Sequence, residues 1–221
     1  MKTDYLLILL LFTIAFTSCS ENTEKTEQQN NTPVEYEDLS EMMESYEEES
    51  VQESGDWHDY FEMNVPEHMR EMTELNADAI AQFGYVEEFN LPKGETEVKE
   101  HYLIVMMESK ADIEGYPVDL KVDALSYSHD AIESLRHGEN VLKFIVSPDT
   151  SIIEQVNGMD CVRNEIVASL GSRNGSVELF YKLGIFEGEE AFYQVLSWCI
   201  QSQKTDFEKD MDAVIGSFSE K

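Results

Sequence analysis

Basic residues are scarce in this sequence. Lysine and arginine together number 15, against 46 aspartates and glutamates in 221 residues, which gives a formal net charge of −31. Proteins that bind nucleic acids need clustered basic side chains to replace the counterions on the phosphates. Because no run of lysine and arginine occurs, the sequence argues against DNA or RNA as a partner.

Proline and glycine are also few, at 5 and 11 residues, which excludes collagen-like and low-complexity chains. Hydrophobic residues nevertheless make up 42% of the sequence, with 11 phenylalanines and 10 tyrosines. That supply is sufficient for a hydrophobic core, and the length fits one domain with a tail.

The usual signatures of catalysis and metal binding are missing. The sequence contains no GxSxG, Walker or GxGxxG pattern, no HExxH pair and no paired-cysteine spacing. Paired carboxylates carry no information in so acidic a chain. We interpret the five histidines as surface or helix-end residues: His58, His68, His101, His129 and His137. The sequence therefore predicts no catalytic, cofactor-binding or metal-binding residue.

A long apolar run is missing too. Tyr5 to Phe16 is apolar for 12 residues, whereas a membrane-spanning helix needs about 20. A run of this length near the N-terminus is typical of a secretory signal peptide. An ordinary signal peptide of this kind would be cut nearby and would leave a free cysteine at Cys19.

The residues after this run, Phe16-Thr17-Ser18-Cys19-Ser20, resemble the lipobox of bacterial lipoproteins, and the SCS form resembles lipoproteins of the Bacteroidota. The match is good at Ser18 and Cys19 and departs at Phe16, where leucine is usual. The resemblance implies a signal peptide over 1–18 and a lipid attached to Cys19. It implies that the protein is exported and anchored to the cell envelope, where we expect the outer membrane.

Residues 19–56 are predicted to be an unfolded acidic tether. Between Glu21 and Asp56 there are 13 acidic residues and one basic residue, Lys25. High charge with little apolar surface leaves too little burial to offset the ordering entropy. A calcium-binding strip at Glu47-Glu48-Glu49 is the alternative, but no EF-hand-like spacing accompanies it.

Residues 57–221 form the predicted globular domain. Alternating and β-branched stretches indicate strands, and apolar residues three and four apart indicate helices. The predicted strands are Trp57–Val65, Ala77–Tyr85, Lys99–Met107, Ser151–Val156, Cys161–Leu170, Ser176–Phe186 and Ala191–Ile200. A short helix or turn is predicted over Glu67–Leu75, a long helix from Pro117 to Gly138, and a last helix from a Thr205–Glu208 capping box.

The strand after Asn174-Gly175 alternates cleanly. Val177, Leu179, Tyr181, Leu183 and Ile185 form one face, while the opposite face is partly apolar as well. A sheet that is apolar on both faces needs helices on both sides. The sequence therefore predicts an α+β fold, an α/β/α sandwich with a mostly antiparallel central sheet.

This order of elements resembles the Mog1/PsbP-like fold, which includes DcrB-like bacterial lipoproteins. Three pieces carry the resemblance: Phe61–Pro66 with Met69, Glu100–Val105, and Ala191–Val195 with the terminal Ser217-Phe218. The resemblance implies a binding or assembly role and supplies no active site to transfer.

Cys161 and Cys199 remain after Cys19, and in an exported protein they could form a disulfide. Two-residue turns at Asn174-Gly175 and Glu187-Gly188 would place Arg163 opposite Phe186 and Cys199 opposite Ser176. The thiols would then be about 30 Å apart at roughly 3.3 Å per residue, whereas a disulfide needs Cα atoms within about 7 Å. We expect buried free thiols, and no histidine is predicted beside either one.

The leading hypothesis is a membrane-anchored, non-enzymatic binding or assembly module of the cell envelope. The alternatives are an immunity-type lipoprotein that blocks a secreted toxin, and a hydrolase with a pocket that gathers His101 and His129. Residues 57–221 contain 13 basic and 32 acidic residues. We therefore expect a protein partner with a basic or apolar patch, and attachment to the membrane only through Cys19.

Overall fold

The computed structural model describes residues 56–90, 96–114, 122–138, 140–147, 153–172 and 175–221. The predicted signal peptide, Cys19 and the acidic tether before residue 56 lie outside these ranges, so the domain boundaries at 18 and 56 stay predictions. None of the described helices is long and apolar enough to cross a membrane.

Ten strands and three α-helices make up the described chain. The strands are β1 (Phe61–Glu62), β2 (Arg70–Glu71), β3 (Ala79–Asn90), β4 (Thr96–Ser109), β5 (Val141–Val146), β6 (Ile153–Val156), β7 (Met159–Ser172), β8 (Gly175–Glu187), β9 (Ala191–Ile200) and β10 (Ser219–Glu220). The helices are α1 (Lys110–Glu114), α2 (Ala124–Arg136) and α3 (Lys204–Ser217), with short 3-10 turns at Trp57–Asp59 and Gln201–Gln203.

The main sheet has the order β2-β3-β4-β9-β8-β7-β5, and β6 also pairs with β7. Every pairing in it is antiparallel. β5 and β6 pair with different halves of β7, and β1 and β10 form a separate two-stranded ribbon. Antiparallel strands of this length are joined by short connections, which the meander from β6 to β9 uses.

Both faces of the sheet are apolar and covered, as the alternation in β8 predicts. Leu179, Tyr181, Leu183 and Ile185 belong to the core under α2. The intervening positions face α3, whose buried residues include Phe207, Met211, Val214 and Ile215. The predicted α+β class, an antiparallel sheet between helices, is confirmed.

The starts of the two long helices differ from prediction. α2 begins at Ala124, because Asp123 is extended and caps it: the Asp123 carboxylate accepts from Ser126 N–H, and Ser126 Oγ accepts from Asp123 N–H. Pro117 lies outside the described residues. The predicted Thr205–Glu208 capping box is wrong, since the preceding 3-10 turn leads directly into α3 and Gln203 precedes its first residue.

The first predicted strand is also wrong in most of its length. Trp57 lies in a 3-10 turn and stacks on Phe61 at 5.1 Å between ring centroids, and only Phe61–Glu62 is extended. Glu67–Leu75 contains no helix; it is turn and the two-residue β2. β5 was not predicted, because it is a half-exposed edge strand without clean alternation.

One of the three predicted turns is confirmed. Asn157 and Gly158 have φ angles of 51° and 88° and connect paired Val156 and Met159, as a type I′ turn requires. Ser172 pairs with Gly175, so the second connection is residues 173–174, and the third spans 188–191 because Glu187 pairs with Phe192. The observed registers of β7 with β8 and of β8 with β9 are therefore displaced from the predicted ones.

Candidate functional site

A chain of polar side chains leads from the surface beside α3 into the sheet. His68, in the loop between β1 and β2, places Nε2 at 3.4 Å from Nδ1 of His101 on β4. Nε2 of His101 is 2.8 Å from Oγ of Ser197 on β9, and that hydroxyl is 3.0 Å from the Tyr102 carbonyl oxygen. At the outer end, Nδ1 of His68 is 3.9 Å from Oδ2 of Asp210 on α3.

The direction of the hydrogen bonds in this chain follows from its inner end. The Tyr102 carbonyl can only accept, so the Ser197 hydroxyl donates to it. Ser197 Oγ then accepts from Nε2–H of His101, which leaves Nδ1 of His101 to accept from Nε2–H of His68. The chain thereby selects one neutral tautomer for each imidazole.

Burial decides the electrostatics of the inner imidazole. His101 and Ser197 are both 0% exposed, and the ring of Phe207 stacks on His101 with centroids 4.8 Å apart. Desolvation, with a smaller contribution from His68, lowers the pKa of His101 to about 3. The inner histidine is therefore neutral wherever the protein is folded near neutral pH.

This arrangement differs from that of an activated nucleophile. A serine nucleophile must donate its proton to the imidazole that acts as base. Here the serine proton is committed to a backbone carbonyl, and the imidazole donates to the serine. The site ties β4, β9 and the loop after β1 to α3, and its hydrogen bonds orient the side chains.

The interpretation of all five histidines as surface residues is wrong for His101. His58, His129 and His137 are exposed and His68 is half-buried, as that interpretation predicts. His101 lies on the α3 side of β4, whereas His129 is on α2 across the sheet, so the structure does not bring these two together. His101 shares one face of β4 with the apolar residues Leu103 and Val105, and that position is the signal that could have marked it as buried.

The two described cysteines are buried and free, as predicted. Cys161 pairs with Phe186 and Cys199 with Phe180, six positions apart on β8, which corresponds to about 20 Å. The registers predicted for this region are wrong, because the connections are longer or displaced, and the thiols are closer than the predicted distance of about 30 Å. They are still too far apart for a disulfide.

Cys199 lies directly across the β4–β9 pair from His101, a neighbour that the sequence did not predict. Both imidazole nitrogens of His101 are bonded elsewhere, to His68 and Ser197. Burial raises the pKa of the Cys199 thiol to about 12, with Asp206 and Glu208 adding to the effect. The thiol therefore lacks the base that a cysteine nucleophile requires.

A second polar cluster fastens α3 to β8. Lys182 is 7% exposed, and its ammonium lies 2.6 Å from Asp212, 3.2 Å from Glu165 and 3.6 Å from Glu208. Burial opposes the charged ammonium, but the bonds to Asp212 and Glu165 outweigh it and raise the pKa of Lys182. Lys204 Nζ completes the cluster over the Phe180 ring at 4.2 Å.

A third cluster fastens α2 to the other face. The Tyr127 hydroxyl donates to Glu108 at 2.6 Å and accepts from the Gln194 amide at 2.9 Å. Burial and the bond to Glu108 raise the pKa of Tyr127, and they outweigh the opposite effect of the bond from Gln194. Glu187 accepts from the N–H of Ala124, the first residue of α2, and pairs with Lys110 at 3.2 Å. A carboxylate at a helix N-terminus is stabilised by the helix dipole.

No group of three or more histidine, cysteine, aspartate or glutamate side chains within the described ranges is arranged to hold a metal ion. The described residues thus define an α+β sandwich in which three buried polar clusters join the helices and loops to the sheet.

No protein-family model matches this chain, and no curated protein matches it in sequence. Solved structures of similar shape exist. LpqN, a protein involved in cell envelope biogenesis of Mycobacterium tuberculosis, has 12% identity and a TM-score of 0.45, over 72% of this chain and 82% of its own. PA94, a protein of unknown function from Pseudomonas aeruginosa, has 11% identity and a TM-score of 0.40, over 67% of this chain and 94% of its own.

Proposed function

We propose that this protein is a lipid-anchored, non-enzymatic binding or assembly module of the bacterial cell envelope, with a globular domain of the Mog1/PsbP-like, DcrB-like kind. The observation that carries the proposal is the N-terminal sequence. An apolar run of 12 residues is followed directly by Phe16-Thr17-Ser18-Cys19-Ser20. This is the order in which an export signal and a lipid-attachment cysteine occur in lipoproteins.

The anchor has a physical rationale. One acyl chain holds a protein to a membrane only marginally, whereas two or more hold it stably. Two or three chains on Cys19 would retain the protein at the envelope, and we place it at the outer membrane. The acidic residues between Glu21 and Asp56 repel one another and would keep the globular domain away from the anionic membrane surface.

The interior of the globular domain supports a binding rather than a catalytic role. In the three polar clusters, hydrogen-bonding and charged groups are committed to neighbours within the fold. The Ser197 hydroxyl is bonded to Tyr102, the Lys182 ammonium to carboxylates of β7 and α3, and the Tyr127 hydroxyl to Glu108. Groups committed in this way stabilise one arrangement of helices on the sheet.

The charge of the domain limits the partner. With 13 basic and 32 acidic residues over 57–221, it would attract a protein that offers a basic patch, or bind an apolar patch enclosed by a polar rim. Electrostatic attraction of this kind mainly raises the association rate and weakens with salt.

Substitution of Cys19 tests the anchor. In the full-length protein expressed in a host that processes lipoproteins, Cys19→Ser is expected to move the protein from the membrane fraction to the soluble envelope fraction. Ser20→Ala, at the neighbouring position, is the matched control and should remain in the membrane fraction with an acylated N-terminus by mass spectrometry. Retention of the Cys19→Ser protein in membranes would overturn the anchor.

Crosslinking of the native protein in its own envelope, followed by mass spectrometry, tests the binding role. The expected result is a reproducible set of crosslinks from the globular domain to one protein, weakened in high salt. A crosslink yield no higher than that of a control in which the crosslinker was quenched beforehand would contradict the binding role. Turnover of a substrate in hydrolase screens would favour the enzyme alternative.

A further inference from the structure

Helix α3 carries four carboxylates, and each faces a cation or a potential cation supplied by another part of the described fold. Asp206 pairs with Lys99 of β4 at 2.6 Å, and Asp212 pairs with Lys182 of β8 at 2.6 Å. Glu208 lies 3.6 Å from Lys182 and 3.4 Å from Lys204. The lysine partners stay charged throughout the physiological pH range.

Asp210 differs from the other three because its neighbour is a histidine. Nδ1 of His68 lies 3.9 Å from Asp210 Oδ2, and both side chains are partly exposed, at 31% and 43%. An imidazole is the side chain whose ordinary titration falls between pH 5 and 8. This contact of α3 can therefore change its charge when the lysine contacts cannot.

The hydrogen-bonded chain determines where an added proton can go. At His101 a new proton would have to occupy Nδ1, which already accepts from Nε2–H of His68, so two N–H donors would face each other at 3.4 Å. At His68 the open nitrogen is Nδ1, and a proton there points toward the Asp210 carboxylate. The outer imidazole can charge without breaking any bond of the chain.

The groups that surround His68 agree with this assignment. From β4 it faces the neutral His101 ring, from α3 the ring of Phe207 and the Asp210 carboxylate, and from β3 the ring of Tyr85 at 4.8 Å between centroids. The Tyr85 hydroxyl is bonded to Glu87. At the end of the loop, the guanidinium of Arg70, the first residue of β2, donates to the carbonyls of Glu67 and Met69.

We propose that His68 and Asp210 form an acid-responsive latch, in which a proton taken up at Nδ1 of His68 creates an ion pair that fastens α3 to the loop between β1 and β2. While His68 is neutral, the loop and the helix are joined by the ring contact between His68 and Phe207, by the hydrogen bond from Asn64 N–H to Ser217 Oγ at 2.8 Å, and by apolar packing. A proton at Nδ1 of His68 adds the ion pair, while the bonds from His68 to His101 and from His101 to Ser197 stay in place. The low pKa of the buried His101 keeps the second imidazole neutral when His68 is protonated.

The latch belongs to the globular domain and does not depend on lipid attachment or on a partner. It would tighten the attachment of α3 as the surroundings become acidic. Because its test measures stability and histidine protonation, failure of the latch leaves the proposed binding role untouched, and the reverse also holds.

The test compares two matched carboxylate variants of the full-length protein in detergent, Asp210→Asn and Asp206→Asn. Thermal unfolding is measured at pH 7.5 and pH 5.5, above the titration of ordinary carboxylates. The Tm difference between the wild type and Asp210→Asn is expected to widen by about 2–4 °C at pH 5.5, as one added surface-type ion pair would give. The difference for Asp206→Asn should not change, because Lys99 stays charged.

Histidine NMR provides the second measurement, so that a poorly folding variant does not leave the test open. In the wild type, one imidazole of the chain is expected to charge between pH 7.5 and 5.5, and His68→Asn should remove that signal. His101 should remain the Nε2–H tautomer throughout. Equal pH dependence of the two carboxylate variants, or charging of His101 before His68, would overturn the latch.

Discussion

The side chain of Gln203 hydrogen bonds to the backbone of Glu100 as a neighbouring strand would. Gln203 Oε1 accepts from the Glu100 N–H at 3.0 Å, and its Nε2 donates to the Val98 carbonyl at 2.6 Å. The last β4–β9 pair is His101 with Cys199, so this amide continues the ladder after β9 has turned into the 3-10 segment before α3. One side chain thereby satisfies two backbone groups that would otherwise lose their partners.

Replacement of Gln203 should therefore be costly. Gln203→Ala is expected to lower the free energy of unfolding by about 2–3 kcal/mol, because a buried N–H and a carbonyl lose their partners. Gln201→Ala, two residues earlier in the same turn, is the control and should change it by about 0.5 kcal/mol or less. Urea unfolding measures both, and equal effects of the two variants would contradict the role given to Gln203.

The buried His101 should make the protein less stable in acid. Its native pKa of about 3 lies below the ordinary value of 6.5, so below pH 6.5 the unfolded chain binds a proton that the folded chain does not. The contribution of neutral His101 to the free energy of unfolding is fully present above pH 6.5 and is lost as the pH decreases toward 3. The expected loss between pH 6.5 and 4.5 is about 2–3 kcal/mol.

His101→Asn provides the comparison for this pH dependence. Asparagine keeps an N–H donor for Ser197 but does not titrate, so its stability should fall less steeply between pH 6.5 and 4.5, whatever its stability at pH 7.5. Urea unfolding at a series of pH values measures the slopes. Parallel slopes for the wild type and His101→Asn would show that His101 is not the group responsible.

Lys182 should stabilise the attachment of α3 through its three carboxylates. Lys182→Met leaves Glu165, Glu208 and Asp212 close together without this charge, and we expect a loss of about 2–3 kcal/mol, less than for a fully buried pair because the carboxylates are partly exposed. Lys209→Met, an exposed lysine on the same helix, should be nearly neutral. In 1 M NaCl part of the Lys182→Met loss should be recovered, since salt screens the carboxylate repulsion. A loss that is insensitive to salt would assign the effect to packing.

The two buried cysteines should not react with thiol reagents in the native protein. Burial raises the pKa of Cys161 and of Cys199 to about 12, so neither forms the reactive thiolate near neutral pH. A thiol reagent should modify neither residue in native buffer and both in 6 M guanidinium without reductant. Recovery of no reactive thiol at 161 and 199 after denaturation would indicate a disulfide and contradict the fold.

Local sequence patterns determined much of the sheet. β4, β8 and β9 were predicted almost to their ends, because alternating and β-branched residues fit a pleated surface whatever surrounds them. The same alternation in β8 predicted helices on both sides, and Asn157-Gly158 predicted its turn because few residues tolerate positive φ. The buried stripe of α3 followed from residues spaced three and four apart. The absence of catalytic motifs and the FTSCS segment likewise follow from the sequence by itself.

The tertiary structure decided what depends on partners distant in sequence. The registers on either side of β8 follow from the lengths of the connections at 173–174 and 188–191, and a displacement of a few residues cannot be detected in an alternating pattern. The start of α3 is set by Gln203 bonding to β4, which removes the need for the capping box at Thr205. The chain of His68, His101 and Ser197 exists only because α3 and three other segments meet there. Burial and hydrogen-bond partners are supplied by packing, and for that reason this chain of polar side chains could not be predicted from the residues alone.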